Sequence, residues 1–167
     1  MGAVLICKPI SNSKLSVLTF GIAQVIMDIE PGIGMITGAN ILHGPSHTIL
    51  GALIIAFFVI LISPKICSVI LQKINKELKH YHLNWLIGSE KVTKNGIIIS
   101  ALFGTLSHVA LDSVIHADIH PLTPFSDKNP LFGIVPHDQI YMICAVAGIL
   151  GLIIWLFKMW IARRNAH

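Results

Sequence analysis

The stretch SHTILGALIIAFFVILIS, residues 46–63, decides the fold of this chain. It contains no Lys, Arg, Asp or Glu, and nearly all of its side chains are apolar. A transmembrane helix needs about 20 mostly apolar residues, with a range of roughly 17–25. The stretch therefore predicts a membrane-spanning helix, and the remaining sequence is best interpreted as that of an integral membrane protein.

Three further segments are long and apolar enough to cross a bilayer. Residues 96–115 qualify although they include ionisable side chains, and residues 140–161 form the most apolar candidate. Residues 15–29 are shorter and contain Asp28 close to their end. We expect this segment to span the membrane if its neighbours pack tightly around it, and a half-helix is the alternative.

The composition agrees with one membrane domain over residues 1–167. Apolar residues make up 54% of the chain and charged residues 12%, against roughly a quarter in soluble domains. We therefore predict an all-α bundle of four transmembrane helices, with the lipid bilayer as its main partner and no particular oligomeric state. The net charge of +4 does not indicate a nucleic-acid partner, because the basic residues flank the apolar segments instead of forming one run.

The Lys and Arg residues divide the connections into two classes. Eleven of the twelve precede the first segment, lie between the second and third, or cluster at the end of the fourth. The connections near 30–45 and 116–139 hold only Lys128. By the positive-inside rule, both termini and the middle loop are expected in the cytoplasm and the two basic-poor loops outside. This arrangement predicts a multi-pass protein of the cell membrane.

The middle connection begins with an amphipathic stretch, residues 65–82. Its apolar side chains recur at helical spacing, and its lysines lie on the opposite side. This pattern predicts a basic amphipathic helix that lies on the inner leaflet as an anchor. The apolar positions are Ile66, Val69, Ile70, Ile74 and Leu78.

Ionisable residues gather where the segments reach the predicted outer face. The orientation was assigned from Lys and Arg alone, so this clustering is an independent observation. The residues are Asp28 and Glu30 after the first segment, His43 and His47 before the second, His108, Asp112 and His116 along the third, and Asp118 and His120 after it.

The third segment is the most informative of these. His108, Asp112 and His116 are spaced i, i+4, i+8 and therefore share one helix face. A charged Asp in the middle of a bilayer costs about 2.5–3.5 kcal/mol on insertion scales, so something must offset that cost. A hydrogen-bonded His–Asp pair is one explanation, and a shared divalent cation is the other.

Two short motifs extend the cluster. In HGPSH, Pro45 favours the first turn of a helix, which places His47 in that turn and His43 on the loop entering it. Ligands from a loop and a helix start can converge on one point. In MDIEP, Asp28 and Glu30 have no basic partner in the following dozen residues, and two carboxylates at one interface need a cation.

A metal site explains these observations together. Mixed histidine and carboxylate ligation suits zinc above all, and also manganese or iron. The candidates outnumber the ligands of one tetrahedral site, so two ions are compatible with them. A cation with an open position lowers the pKa of bound water to about 7, which is the chemistry of hydrolysis. The predicted metal ligands are Asp28, Glu30, His43, His47, His108 and Asp112.

These motifs resemble those of the predicted membrane-bound metal-dependent hydrolases, the family that includes the LexA-regulated membrane hydrolases. That family carries PDxD-type, HRGxTHS and SHxxLD elements, and the counterparts here read MDIEP, HGPSHT and SHVALD. The chain also resembles a bacterial subgroup with the pattern AQVxxDIEP, HGxxHTxLGA and SHVxLDSxxHADxxPxxPFSD, which implies a bacterial inner membrane as its location. The matching ranges are 23–31, 43–52 and 107–127.

By position, the resemblance implicates the six predicted ligands together with Asp118, and His116 next. Two departures concern the ligand set. The subgroup usually opens with PFHxG, whereas this chain begins at Met1, so it lacks that histidine or its start is assigned late. HGPSH is also one residue shorter than HRGxTHS, although it fits the subgroup. Separately, His108 and Asp112 resemble the His-x3-Asp pairs of zinc-dependent phospholipases C, which favours a phosphoester.

The leading hypothesis is a membrane-embedded metal-dependent hydrolase that acts on a phosphoester or ester of a lipid-linked substrate at the extracytoplasmic face. Asp118, His116 or His120 would transfer protons, because a general acid or base must reach the reacting atoms. The loop 116–138 either caps the site or is an ordinary connection. A transport component and a non-catalytic metal-binding or structural membrane protein are the alternatives. The apolar stretches 54–62 and 149–157 disfavour a pore through a monomer.

Overall fold

The computed structural model describes residues 15–89 and 91–164, and all regular secondary structure within these ranges is helical. This confirms the predicted all-helical fold class. Lys8 and Lys14, which contributed to the predicted orientation, lie outside the described residues. The helices are α1 (Val17–Met27), α2 (Ile29–Thr37), α3 (Ile49–His80), α4 (Lys94–Ile115) and α5 (His137–Arg164), with short 3-10 turns at Pro45–His47 and Asn84–Leu86.

Among the described residues, four helical stretches are long and apolar enough to cross a membrane, as predicted. The first includes both α1 and α2, Val17–Thr37, and so extends beyond the predicted boundary at residue 29. The chain continues because Pro31 falls in the first turn of α2, where a missing N–H is tolerated. The helix ends at Gly38, whose φ of 71° is in the left-handed region that favours glycine.

Helix α3 differs from the prediction in its length. Its 32 residues span about 48 Å, more than the roughly 30 Å of a hydrocarbon core. The amphipathic stretch 65–82 is therefore the continuation of the second span and not a separate helix. Pro64 lies within α3 and removes one backbone hydrogen bond, but the residues after it contain no glycine and keep the helical spacing of apolar side chains.

Helices α1, α3 and α4 pack together around small side chains. A fully buried core forms from Ala23 of α1, Ala56 and Val59 of α3, and Ala101 of α4. In a bilayer, helices associate through close van der Waals packing more than through the hydrophobic effect, so small residues at the contacts let the backbones approach. Helix α5 differs, since only 11% of its most apolar window is buried.

Helices α1 and α4 approach each other closely at Gly104 of α4. A Cβ atom at this position would lie 2.8 Å from the Cβ of Ala23 and 3.4 Å from the carbonyl oxygen of Phe20, both on α1. In addition, the side-chain amide of Gln24 donates a hydrogen bond of 2.7 Å to the Gly104 carbonyl. The glycine therefore sets the distance between α1 and α4, and with it the distance between the functional groups that these helices carry.

Hydroxyl groups connect the same helices at the other end of the bundle. The backbone N–H of Ser16 donates to the Ser100 hydroxyl at 2.7 Å, and the Thr19 hydroxyl donates to that of Ser16 at 2.9 Å. All three side chains are buried. Hydrogen bonds between transmembrane helices contribute about 0.6 kcal/mol on average, so these bonds add modestly to the packing.

The close contact at Gly104 can be tested by Gly104→Ala. The added methyl group should push α1 and α4 apart and destabilise the bundle by about 1–3 kcal/mol, as is typical of overpacking. The measurement is the fraction of detergent-purified protein that stays monodisperse after heating. Gly32→Ala is the matched control, because a Cβ there meets nothing within 4 Å. Equal heat resistance of the two variants would contradict the proposed role of Gly104.

Candidate metal centre

Four predicted ligands converge where α1 ends, α3 begins and α4 ends. We call Asp28, His47, His108 and Asp112 the buried cluster, because each offers one ligand atom and these atoms lie within 4.8 Å of one another. His47 is fully buried and His108 is 7% exposed. The side chain of Asp28 is 62% exposed, so it forms the open side of the cluster.

Asp112 is at the middle of the buried cluster. Its Oδ2 lies 3.0 Å from Nε2 of His108 and 3.5 Å from Nε2 of His47. Asp28 approaches the same His108 nitrogen, with its Oδ1 at 3.2 Å. Despite these short distances, neither Nε2 of His47 nor Nε2 of His108 has a hydrogen-bond partner of acceptable geometry among the described residues. The nitrogens therefore approach carboxylate oxygens without a proton aligned between them.

The partner of the other ring nitrogen determines the tautomer of His108. Gln24 uses its amide N–H to bind the Gly104 carbonyl, which turns its amide oxygen toward Nδ1 of His108 at 3.1 Å. An amide oxygen only accepts hydrogen bonds. Nδ1 of a neutral His108 ring must therefore carry the proton, which leaves a lone pair on Nε2.

The same reasoning applies to His47. The Ser46 hydroxyl donates to the carboxylate of Glu30, which also accepts the Ser46 backbone N–H at 2.9 Å. With its own proton committed, this hydroxyl accepts from Nδ1 of His47 at 2.8 Å. His47 therefore also presents an Nε2 lone pair toward Asp112. In these neutral forms, the Nε2 lone pairs and the carboxylate oxygens repel one another unless a proton or a metal cation lies between them.

A second group, which we call the outer cluster, contains His43, His116 and Asp118, again with ligand atoms within 4.8 Å of one another. Asp118 accepts the backbone N–H groups of Leu42 and His43, both at 3.2 Å, and Nδ1 of His43 at 3.0 Å. A carboxylate that binds one imidazole nitrogen fixes the ring and leaves the other nitrogen available as a ligand or base. Asp118 therefore orients His43.

Charges in the outer cluster follow from its contacts. Burial would raise the pKa of Asp118, but the hydrogen bonds from the His43 ring and backbone hold that pKa below its usual range. Burial lowers the pKa of His116, and the neighbouring His43 lowers it further. At neutral pH, Asp118 is therefore ionised and His116 is neutral, with a lone pair available.

Imidazole rings connect the two clusters. His137, at the start of α5, adds a further ring to this series of imidazoles. It was not predicted as a site residue, and only its position in the basic-poor connection 116–139 could have indicated that it lies near the site. Because successive rings are close, the clusters form one continuous region of imidazoles. The centroid distances are 5.2 Å for His108–His47, 4.8 Å for His47–His43, 4.3 Å for His43–His116 and 6.2 Å for His116–His137.

Two predicted site residues lie outside both clusters. Glu30 binds Ser46, as described above, and a Cβ on Gly44 would lie only 2.5 Å from its Oε1, so glycine permits this approach. His120 is exposed, and its Nδ1 is 2.6 Å from the carbonyl oxygen of Asp127. The structure thus places Glu30 behind His47 and places His120 at the periphery.

The loop after α4 is tied to the helices that carry the clusters. Ile49 at the start of α3 donates its N–H to the Pro121 carbonyl at 2.9 Å. The Asn129 amide donates to the Ser113 carbonyl at 2.8 Å, and Gly133 N–H donates to Val114 at 3.0 Å. The bonds to Ser113 and Val114 satisfy carbonyls in the last turn of α4, where no following helical turn supplies N–H donors. Asn129 is a positioning residue that no sequence motif indicated.

The 3-10 turn that carries His47 is held against α3. The Thr48 hydroxyl caps the helix by accepting from Gly51 N–H at 2.9 Å and donates to the Pro45 carbonyl at 2.9 Å. A Cβ on Gly51 would lie 1.9 Å from that carbonyl oxygen. Only glycine at position 51 allows the turn to fold back so closely and to bury His47.

The tautomer assignments predict a spectroscopic result. In metal-free protein with ¹⁵N-labelled histidine, His47 and His108 should both show the proton on Nδ1. Ser46→Ala removes the acceptor of His47 alone, so that ring should change its tautomer ratio while His108 keeps its own. Ser126→Ala, in the exposed loop, is the control. A proton on Nε2 in the parent would contradict the assignment.

The fold and the two clusters define a polytopic membrane protein whose histidine and carboxylate side chains converge at one end of a helix bundle. The chain belongs to the YdjM inner membrane protein family, whose model matches residues 10–166. This family is of the LexA-regulated membrane protein type, so the resemblance drawn from the motifs is confirmed at that level. No curated protein and no solved structure matches the chain. The inner membrane location is thus supported by family membership and by the four apolar spans.

Proposed function

We propose that this protein is a membrane-embedded metal-dependent hydrolase whose buried cluster holds a divalent cation. One observation carries the proposal. Nδ1 of His47 and Nδ1 of His108 each lie beside a hydrogen-bond acceptor, so the neutral rings present Nε2 lone pairs to Asp112. A structural His–Asp lock would instead align a proton between nitrogen and oxygen, and within the described part of the chain neither Nε2 makes such a hydrogen bond.

The ligand atoms favour zinc. Two imidazole nitrogens and two carboxylate oxygens suit zinc, and manganese or iron are the alternatives. The groups behind them resemble a typical outer shell, in which the second imidazole nitrogen donates to a protein oxygen. Gln24 has this role for His108, and Ser46, held by Glu30, has it for His47. The exposed Asp28 leaves one side accessible.

A cation at this position would lower the pKa of bound water to about 7 and so supply a nucleophile for hydrolysis. The neighbouring outer cluster supports proton transfer. His43 is oriented by Asp118 and its ring lies beside that of His47, while His116 is neutral at physiological pH. We therefore assign proton transfer to His43 and His116, with Asp118 as a positioning residue. A phosphoester or ester of a lipid-linked substrate fits a site at the end of transmembrane helices.

A transport role is less well supported by the packing. The fully buried core of Ala23, Ala56, Val59 and Ala101 lies between α1, α3 and α4, on the side of the bundle away from the clusters. An ion or polar solute would have to pass this apolar layer. The described helices therefore favour a site that is open at one end of the bundle.

Metal content tests the proposal directly. Detergent-purified parent protein should retain close to one equivalent of zinc, manganese or iron per chain, as measured by inductively coupled plasma mass spectrometry. Asp112→Asn, compared at equal monodispersity, should lose it because an amide is a poor ligand. Asp138→Asn, an exposed aspartate on α5, should retain it. Absence of metal from the parent after supplementation would refute the proposed site.

A second variant separates ligation from folding. Gln24→Leu leaves all four ligands in place but removes the acceptor of His108. Loss of such an outer-shell partner typically weakens metal affinity by about 10–100-fold. Competition with a zinc chelator measures this change, and Gln72→Leu on the exposed face of α3 is the control. Equal affinities in the two variants would argue against the assigned role of Gln24.

We also infer that both termini are in the cytoplasm, because the basic residues lie in the connections assigned to that side. An alkaline phosphatase fusion placed after residue 128 should be active, since it would be exported. Fusions after residue 82 or after the last residue should be inactive. The opposite pattern would place the clusters at the cytoplasmic face and exclude an extracytoplasmic substrate.

A further inference from the structure

A cavity of about 450 Å³ lies beside the outer cluster. Its volume falls within the roughly 300–1,000 Å³ of typical ligand pockets. We call it the groove. One wall is formed by the loop that leads into α3 and by the first turns of that helix, and the other by the loop after α4 near Thr123 and Pro124.

The two ends of the groove differ in chemistry. His43, Asp118 and His120 line one end, next to the outer cluster. Leu50 and Ile54 line the other, and they are 49% and 52% exposed on the membrane-spanning part of α3. The groove therefore leads from the apolar surface that faces the hydrocarbon to a group of imidazoles.

We propose that the groove binds a phospholipid of the surrounding bilayer, with one acyl chain against Leu50 and Ile54 and the phosphoester at His43 and His120. That this phospholipid is a substrate rests on the proposed hydrolase function. The occupant follows from the layout, because an amphipathic molecule that arrives from the bilayer can bury its chain before its headgroup reaches the imidazoles. A water-soluble phosphoester would gain nothing from an apolar end open to lipid.

The charge at the polar end is compatible with a phosphate. Of the described residues that line the groove, Asp118 is the acidic one, and its carboxylate accepts three N–H groups from Leu42 and His43. These hydrogen bonds tie the carboxylate to the loop that leads into α3. The ring of His120 is exposed and is held through Nδ1 by the Asp127 carbonyl, so Nε2 is the nitrogen that meets a phosphate oxygen when the ring is protonated.

Photocrosslinking tests the groove without any need for catalysis. The parent protein is reconstituted in phosphatidylethanolamine vesicles that contain a small fraction of the same lipid with a diazirine close to the ester of one acyl chain. After irradiation, labelled peptides are mapped by mass spectrometry. Label should concentrate on residues 41–54 and 118–124, compared with residues 141–146 of α5, which serve as the lipid-exposed reference.

Leu50→Trp should reduce groove labelling about tenfold. The indole ring would fill the apolar end of the groove, so that about two methylene groups of the acyl chain could no longer be buried there. Leu53→Trp is the matched control, since Leu53 is similarly exposed, at 43%, on the same helix but does not line the groove. Ile54→Trp provides a second blocking variant if the first is not monodisperse. Equal labelling of blocking and control variants, or labelling no stronger than on α5, would overturn the proposal.

The two proposals fail separately in this design. Asp112→Asn does not alter the groove, so its labelling should persist even where metal is lost. A parent that binds no metal but is labelled in the groove would refute the hydrolase and support the lipid site. A parent that retains metal but shows no preferential labelling would refute the lipid site and leave the metal centre standing.

Discussion

The placement of the Asp112 carboxylate inside a transmembrane helix is the constraint on which the rest of the structure depends. A charge at this depth is costly, and the chain surrounds it with two imidazoles whose lone pairs face its oxygen. With neutral rings that arrangement is unfavourable by itself, and it becomes favourable when a proton or a metal cation joins the groups. The neighbouring features of the protein, from helix spacing to loop anchoring, keep these groups together.

Small residues provide the spacing. Gly104 allows α1 and α4 to approach so closely that Gln24 reaches both the α4 backbone and the ring of His108. Gly51 does the same for the turn that carries His47. In both places the absence of a Cβ permits a close contact that positions a histidine. The same glycines therefore permit close backbone packing and orient the candidate ligands.

Hydrogen bonds behind the clusters decide which nitrogen is available. Gln24, Ser46 with Glu30, and Asp118 each bind one side of an imidazole and thereby free the other. The outer cluster continues this arrangement toward an apolar cavity open to the membrane. The candidate ligands, the candidate proton-transfer groups and the proposed lipid groove thus lie together at the first turns of α3 and the end of α4.

The sequence alone determined the membrane class, the four spans and the gathering of histidines and carboxylates at one end, because hydropathy and helical spacing are local properties. Tertiary structure alone decided how those residues divide. Glu30 lies in MDIEP beside Asp28, yet one binds Ser46 and the other joins the buried cluster. His137 and Asn129 belong to no motif and reach the site only because the loop after α4 folds back. Spacing along a chain cannot specify which side of an interhelical contact a side chain occupies, since that depends on how closely the backbones approach.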